Sequence, residues 1–169
     1  MITQIIKFLR VLASEAAPLQ ISMGIALAMI AGLTPLFSLH NLLVVFVLLT
    51  FRINLAAFIL ALALFSGLAY LLDPLFHSFG LSLLQRTEMQ GVWMNMYNST
   101  FWRVAHFNNT IVIGSLVITL LMFVPMVLIM NVLIKHYRTH VLVYLNNSKL
   151  VSWLQSSKLV TRFSSMMES

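Results

Sequence analysis

The chain has 169 residues, 60% of them hydrophobic and only 8% charged. An ordinary soluble domain carries roughly 25% charged residues, so the composition argues against a soluble globular protein, and the apolar excess excludes a disordered one. The absence of cysteine excludes disulfides, thiolate catalysis and iron–sulfur clusters, and ten Lys and Arg against four acids give a net charge of +6.

Residues 1–13 place Ile2, Ile5, Ile6, Leu9 and Leu12 at helical spacing, with Gln4, Lys7 and Arg10 on another face. This pattern predicts an amphipathic helix lying in the membrane interface. A signal peptide is the competing reading. It is rejected because Ser14, Glu15 and Pro18 break the apolar stretch and no convincing cleavage site follows.

Residues 18–51 hold two apolar helical stretches, about 19–32 and 41–51, on either side of Gly32-Leu-Thr-Pro-Leu-Phe-Ser-Leu-His-Asn41. At 1.5 Å per residue they would reach roughly 21 Å and roughly 16 Å, short of a hydrocarbon core about 30 Å thick. The segment is therefore either one long kinked span or a re-entrant hairpin. Residues 53–72 form a clean transmembrane span, bracketed by Arg52 and by Asp73-Pro74, which should end the helix. Residues 73–109 read as an amphipathic surface segment, with Trp93, Tyr97 and Phe101 on one helical stripe. Residues 110–134 form the second span, kinked at Pro125, and 135–169 a basic amphipathic tail.

The distribution of basic residues decides between the two readings of 18–51. With a re-entrant hairpin, Lys7, Arg10, Arg52, Lys135, Arg138, Lys149, Lys158 and Arg162 share the cytoplasmic side, and only Arg86 and Arg103 lie outside. With a full span the split is six to four. The expected fold is thus an all-α integral membrane protein with two full transmembrane helices, a re-entrant helical hairpin and interfacial amphipathic helices. It is expected in the bacterial inner membrane, multi-pass, with both termini cytoplasmic and 73–109 periplasmic.

No residue set supports a reaction. There is no Gly-x-Ser-x-Gly, acid–base pair or Walker loop, so a non-enzymatic protein without cofactor is expected. His136 and His140 share a helical face but lack a third ligand, and read as an interfacial cationic cluster rather than a metal site. The basic residues form no contiguous patch with aromatics, so nucleic acid is not an expected partner. Polar groups at membrane depth are costly and often functional. Thr34, Ser38, His40 and Asn41 are therefore a candidate lipid-headgroup site at a half-helix N-terminus, with Arg52 as a phosphate-binding or snorkelling base. The competing role for Ser38 or Asn41 is capping of the second half-helix. Asn131 could hydrogen-bond across helices. Gly24, Ala28 and Gly32 form a small-residue face suited to close helix packing, within the chain or against another.

The run Gly24-Ile-Ala-Leu-Ala-Met-Ile-Ala-Gly32-Leu-Thr-Pro35, followed by Leu39-His-Asn41 and Arg52-Ile-Asn54, resembles a family of small bacterial inner-membrane proteins of unknown function. One branch of that family is usually encoded beside a large periplasmic AsmA-like protein, a class thought to carry lipid between membranes. The resemblance implies a membrane anchor or gate for such a bridge, with phospholipids and an AsmA-like protein as partners. A weaker similarity is to the DedA-like scramblases, whose paired hairpin acids are absent here. A homo-oligomeric small transporter or scramblase is the alternative expectation.

Overall fold

In the computed structural model the described residues are 16–142, with side chains as far as Thr139. The interfacial helix expected over 1–13 and the tail beyond residue 142 lie outside them. Every regular element among the described residues is helical: α1 (Pro18–Leu33), α2 (Leu39–Thr50), α3 (Leu55–Leu84), a 3-10 turn (Thr87–Met89), α4 (Gln90–Asn98), α5 (Thr100–Val104), α6 (Thr110–His136) and a π-helical turn (Tyr137–Leu142). Two of these, α3 and α6, are long and apolar enough to cross a membrane.

Local chemistry sets most of the boundaries. Pro18 opens α1, where its missing N–H costs nothing. Pro35 forces the preceding residue out of the helical region, and Thr34 is extended at φ −99° and ψ 159°. Asn54 caps α3 by accepting from the Ala57 amide at 2.8 Å. Asn109 caps α6 by accepting from the amides of Ile111 and Val112 at 2.9 and 3.2 Å.

Hydrogen bonds and close packing set the helix directions. The Asn54 amide donates to the Gln20 carbonyl at 3.2 Å, so α1 and α3 start side by side. Gly24 then faces Asn54 and Phe58, and Gly32 faces Leu62, Phe65 and Ser66, so the two helices run parallel. The chain reverses over Thr34–Ser38 and α2 returns toward the starting end. Helix α6 runs antiparallel to α3, with Gly114 against Phe76 and Gly80 against Thr110, and the Arg138 guanidinium donates to the Ala16 carbonyl at 2.8 Å.

Helix α1 is the centre of this arrangement. Ile21, Ser22 and the whole run Gly24–Leu33 are buried, as expected for a helix that is apolar all round. Helices α3 and α6 enclose it. Helix α2 buries only Asn41, Val44 and Leu48, a single seam, and leaves Leu42, Leu43, Phe46 and Leu49 exposed. Exposed apolar surface continues along α3 and α6, through Leu64, Leu71, Leu121 and Leu128. A surface of this kind suits lipid rather than water.

Three expectations need correction. First, Asp73-Pro74 does not end the helix, because α3 runs through Pro74 to Leu84. Pro74 forgoes one backbone bond, but the following turns are held by Phe76, 1% exposed, and by the seat of Gly80 on α6. Packing overrides the local break. Residues 73–84 therefore extend the long helix instead of opening a surface segment. Second, Trp93, Tyr97 and Phe101 are not one stripe. Ser99 is extended between α4 and α5, so Phe101 sits on a separate short helix. Third, neither Ser38 nor Asn41 caps α2, since no side chain accepts from its first amides.

Candidate functional site: the hairpin tip and its clefts

The turn between α1 and α2 gathers the polar residues singled out in the sequence. Thr34 donates its single hydroxyl proton to the Ile30 carbonyl at 2.8 Å. Its oxygen lies 2.8 Å from His40 Nε2 and so accepts from it, which assigns the proton of a neutral imidazole to Nε2. Asn41 Nδ2 donates to the carbonyls of Pro35 and Leu36, both at 3.1 Å. Ser38 donates back to the Pro35 carbonyl. Thr34, Ser38, His40 and Asn41 are thus brought together, and they spend their donors on the turn's own backbone and on each other. This accounts for irregular backbone in an apolar setting, where orphaned carbonyls would be costly.

Arg52 is not part of this cluster. It lies beyond the far end of α2, whose twelve residues rise about 18 Å, and it is exposed beside the start of α3. The small-residue face, by contrast, packs within the chain. A Cβ on Gly24 would come within 2.8 Å of the Asn54 carbonyl, and one on Gly32 within 2.7 Å of the Phe65 Cβ, while Ala28 between them is fully buried. Trp93 stacks on Phe107 at 6.3 Å and Phe101 meets Trp102 edge-on at 5.3 Å. Tyr97 is exposed. The Asn131 Oδ1 is buried without a hydrogen-bond partner, so the cross-helix bond expected there is not made through that atom.

Three clefts border the tip: one of about 420 Å³ against Ser38, Asn41, Val45 and Val104, and two that take in His40 or Thr34. Of these two, the first, of about 560 Å³, lies between α2, the α5 region and α6, and its walls include Leu43, Phe46, Phe101, Trp102, Val112 and Leu116. His40 stands at its margin. The second, of about 360 Å³, lies between the tip, α3 and the start of α6, and takes in Thr34, Ser66, Tyr70, Asp73 and Asn109. The Thr34–His40 hydrogen bond joins one cleft to the other, since Thr34 faces the second and His40 the first.

The second cleft was not anticipated. Ser66, Tyr70 and Asp73 stand at i, i+4 and i+7, a single polar stripe on an apolar helix. His77 continues it and binds the Thr110 hydroxyl at 2.7 Å, tying α3 to α6. The spacing is visible in the sequence, but reading Asp73 as a helix terminus removed it from the pattern.

Residues 6–142 match the family described as uncharacterized proteins conserved in bacteria (DUF2062). The chain belongs to this family. Among its relatives is an uncharacterized protein of Treponema pallidum (strain Nichols), 26% identical over 162 residues, which cover 96% of this chain and all of the relative. No solved structure matches the chain. The family match takes in α1–α6 together, so the hairpin and the two long helices belong to one family unit.

Proposed function

We propose that this DUF2062 protein is a non-enzymatic subunit of the bacterial inner membrane that offers phospholipid an access site beside a re-entrant hairpin. In this reading α3 and α6 cross the bilayer, α1 and α2 enter and leave by the cytoplasmic face, and both termini are cytoplasmic. The carrying observation is the apolar cleft of about 560 Å³ between α2 and α6, which lies on an apolar exterior and has the size of a small-ligand site. It would admit an acyl chain from the side.

Placement against the bilayer supports the reading. Residue 66, beside Gly32, stands about 17 Å above the start of α3 and Asp73 about 27 Å. The tip would therefore sit in the far part of a core about 30 Å thick, with the second cleft close to the periplasmic headgroups. The aromatic residues of α4 and α5 would lie outside, as an interfacial belt. Together with the periplasmic ends of the long helices they would form the surface for an AsmA-like lipid-transport protein, the partner implied by the family resemblance.

The test is native mass determination after gentle extraction from cells at native expression. The proposal expects bound phospholipid and a large periplasmic chain in the same peak. It also expects Leu43→Trp, which fills the cleft, to lower bound lipid, while Leu128→Trp on the outer face of α6 leaves it unchanged. A peak without partner and without lipid would refute it. A bare homo-oligomer active in lipid scrambling would instead favour the transporter reading.

A further inference from the structure

The stripe Ser66–Tyr70–Asp73 contrasts with the hairpin tip it faces. At the tip the polar side chains are spent on internal bonds. On the stripe, among the described residues, no side-chain hydrogen bond or ion pair engages Ser66, Tyr70 or Asp73. Asp73 is half-buried, and no Lys or Arg faces the cleft it shares with Thr34 and Asn109. An acidic side chain in an apolar span is expensive, and such residues mark ligand or ion paths. A cation from outside the described residues would complement it.

The surroundings narrow the kind of cation. Calcium takes six to eight oxygens and zinc three or four protein ligands, whereas this cleft has one carboxylate, and no group of three His, Cys, Asp or Glu suited to a metal exists among the described residues. A cleft of about 360 Å³ is also far roomier than a bare ion needs. Tyr70 supplies an aromatic face, which attracts ammonium groups. Asn109 commits its Oδ1 to the α6 amides and keeps its Nδ2 as a donor, fit for a phosphate oxygen. Leu33, Phe37 and Ile111 form the apolar walls.

The geometry points to this cleft as a headgroup site for a zwitterionic phospholipid bearing a primary ammonium, a phosphatidylethanolamine, with the ammonium on Asp73 and the phosphate beside Asn109. The inference rests on the lipid-access reading above and adds the headgroup class. A primary ammonium donates hydrogen bonds to the carboxylate, which a quaternary ammonium cannot, and a glycerol headgroup has no cation at all.

The experiment uses the full chain in nanodiscs of phosphatidylethanolamine and phosphatidylglycerol in equal amounts, followed by native mass spectrometry of the lipids retained on release into detergent. The wild type should prefer the ethanolamine lipid about tenfold, the scale of one charge-assisted contact, and Asp73→Asn should reduce that preference to nearly none. Asp73→Glu should keep part of it. The total number of retained lipids should not change, because the apolar cleft is intact, and unchanged thermal unfolding of Asp73→Asn verifies its fold. Absence of preference in the wild type, or an equal preference in Asp73→Asn, overturns the headgroup site while leaving the access reading standing. Absence of any retained lipid overturns both. Glycerophosphoethanolamine, the same headgroup without acyl chains, is added in a parallel arm. Failure to displace the bound lipid supports a lipid site, and displacement at modest excess overturns it in favour of a soluble amine.

Discussion

The contact between α3 and α6 gives the sharpest stability prediction. At Gly114 a Cβ would collide with the Phe76 carbonyl oxygen and come within 3.0 Å of both the Phe76 carbonyl carbon and the Gly80 nitrogen. All three are backbone atoms, so no rotamer change relieves them. In Gly114→Ala the helices must separate by several tenths of an ångström or more, opening the seam around Phe76 and lengthening the 2.7 Å His77–Thr110 bond. Overpacking of this kind costs about 1–3 kcal/mol. The better helix propensity of alanine returns at most about 1 kcal/mol, so the net change is a loss. Gly67 lies on the same helix α3, and a Cβ added there would meet nothing within 4 Å, so Gly67→Ala gains only the propensity and should be neutral or stabilising. The pair is compared by thermal unfolding in one detergent, each kcal/mol shifting the midpoint by roughly 2–4 °C. The double variant Gly80→Ala/Gly114→Ala should lose less than the sum of its singles, because one separation relieves both contacts. A Gly114→Ala midpoint equal to that of Gly67→Ala would refute the backbone crossing.

Further outcomes follow from the caps, the tip and the proline. Asn41→Leu orphans the Leu36 carbonyl, at about 1–3 kcal/mol where shielded, and also takes one of two side-chain donors from the Pro35 carbonyl; it should lower the thermal midpoint more than Ser38→Ala, which only takes one donor from that shared carbonyl. Asn54→Ala should cost about 1 kcal/mol by uncapping α3, and Asn54→Asp, which keeps the acceptor, should restore most of it. Pro74→Ala removes a proline from the interior of α3 and should raise the midpoint; an unchanged or lowered midpoint would indicate that the helix does end at Asp73.

How much was legible in the sequence depended on whether a local signal met resistance from packing. The break at Thr34-Pro35 is legible because proline sterics act locally and nothing opposes them; the interruption at Arg52 is legible from its charge, while the Asn54 cap beside it appears only in the structure. Helices α1 and α2 are both apolar and nothing in their composition marks α1 as the central helix, but Gly24, Ala28 and Gly32 announced a close contact. Which helix they meet depends on the return path of α2, which no residue pattern states. The same local reasoning failed at Pro74, where the docking of Phe76 and Gly80 on α6 carries the helix past its expected end. It failed again at Phe101, where the extended Ser99 divides a stripe that looks continuous at helical spacing. Gly80 and Gly114 drew no notice because a single glycine in an apolar helix has no distinctive pattern. At the tip, Thr34, Ser38, His40 and Asn41 lie together, as proximity in the sequence suggests. Arg52 was grouped with them through its chemistry, although the length of α2 separates it from them. The Ser66–Tyr70–Asp73 stripe was available from periodicity and was hidden by the premature helix end.

The central claim is that the chain enters and leaves the membrane by one face before α3 crosses it. The chain has no cysteine, so single substitutions report position without background. Leu19→Cys, Phe51→Cys and Tyr97→Cys place thiols at three exposed sites, to be labelled with an impermeant reagent in right-side-out and inverted inner-membrane vesicles. The account predicts that Leu19→Cys and Phe51→Cys react from the cytoplasmic face and Tyr97→Cys from the periplasmic face. Labelling of Leu19→Cys and Phe51→Cys from opposite faces would contradict it.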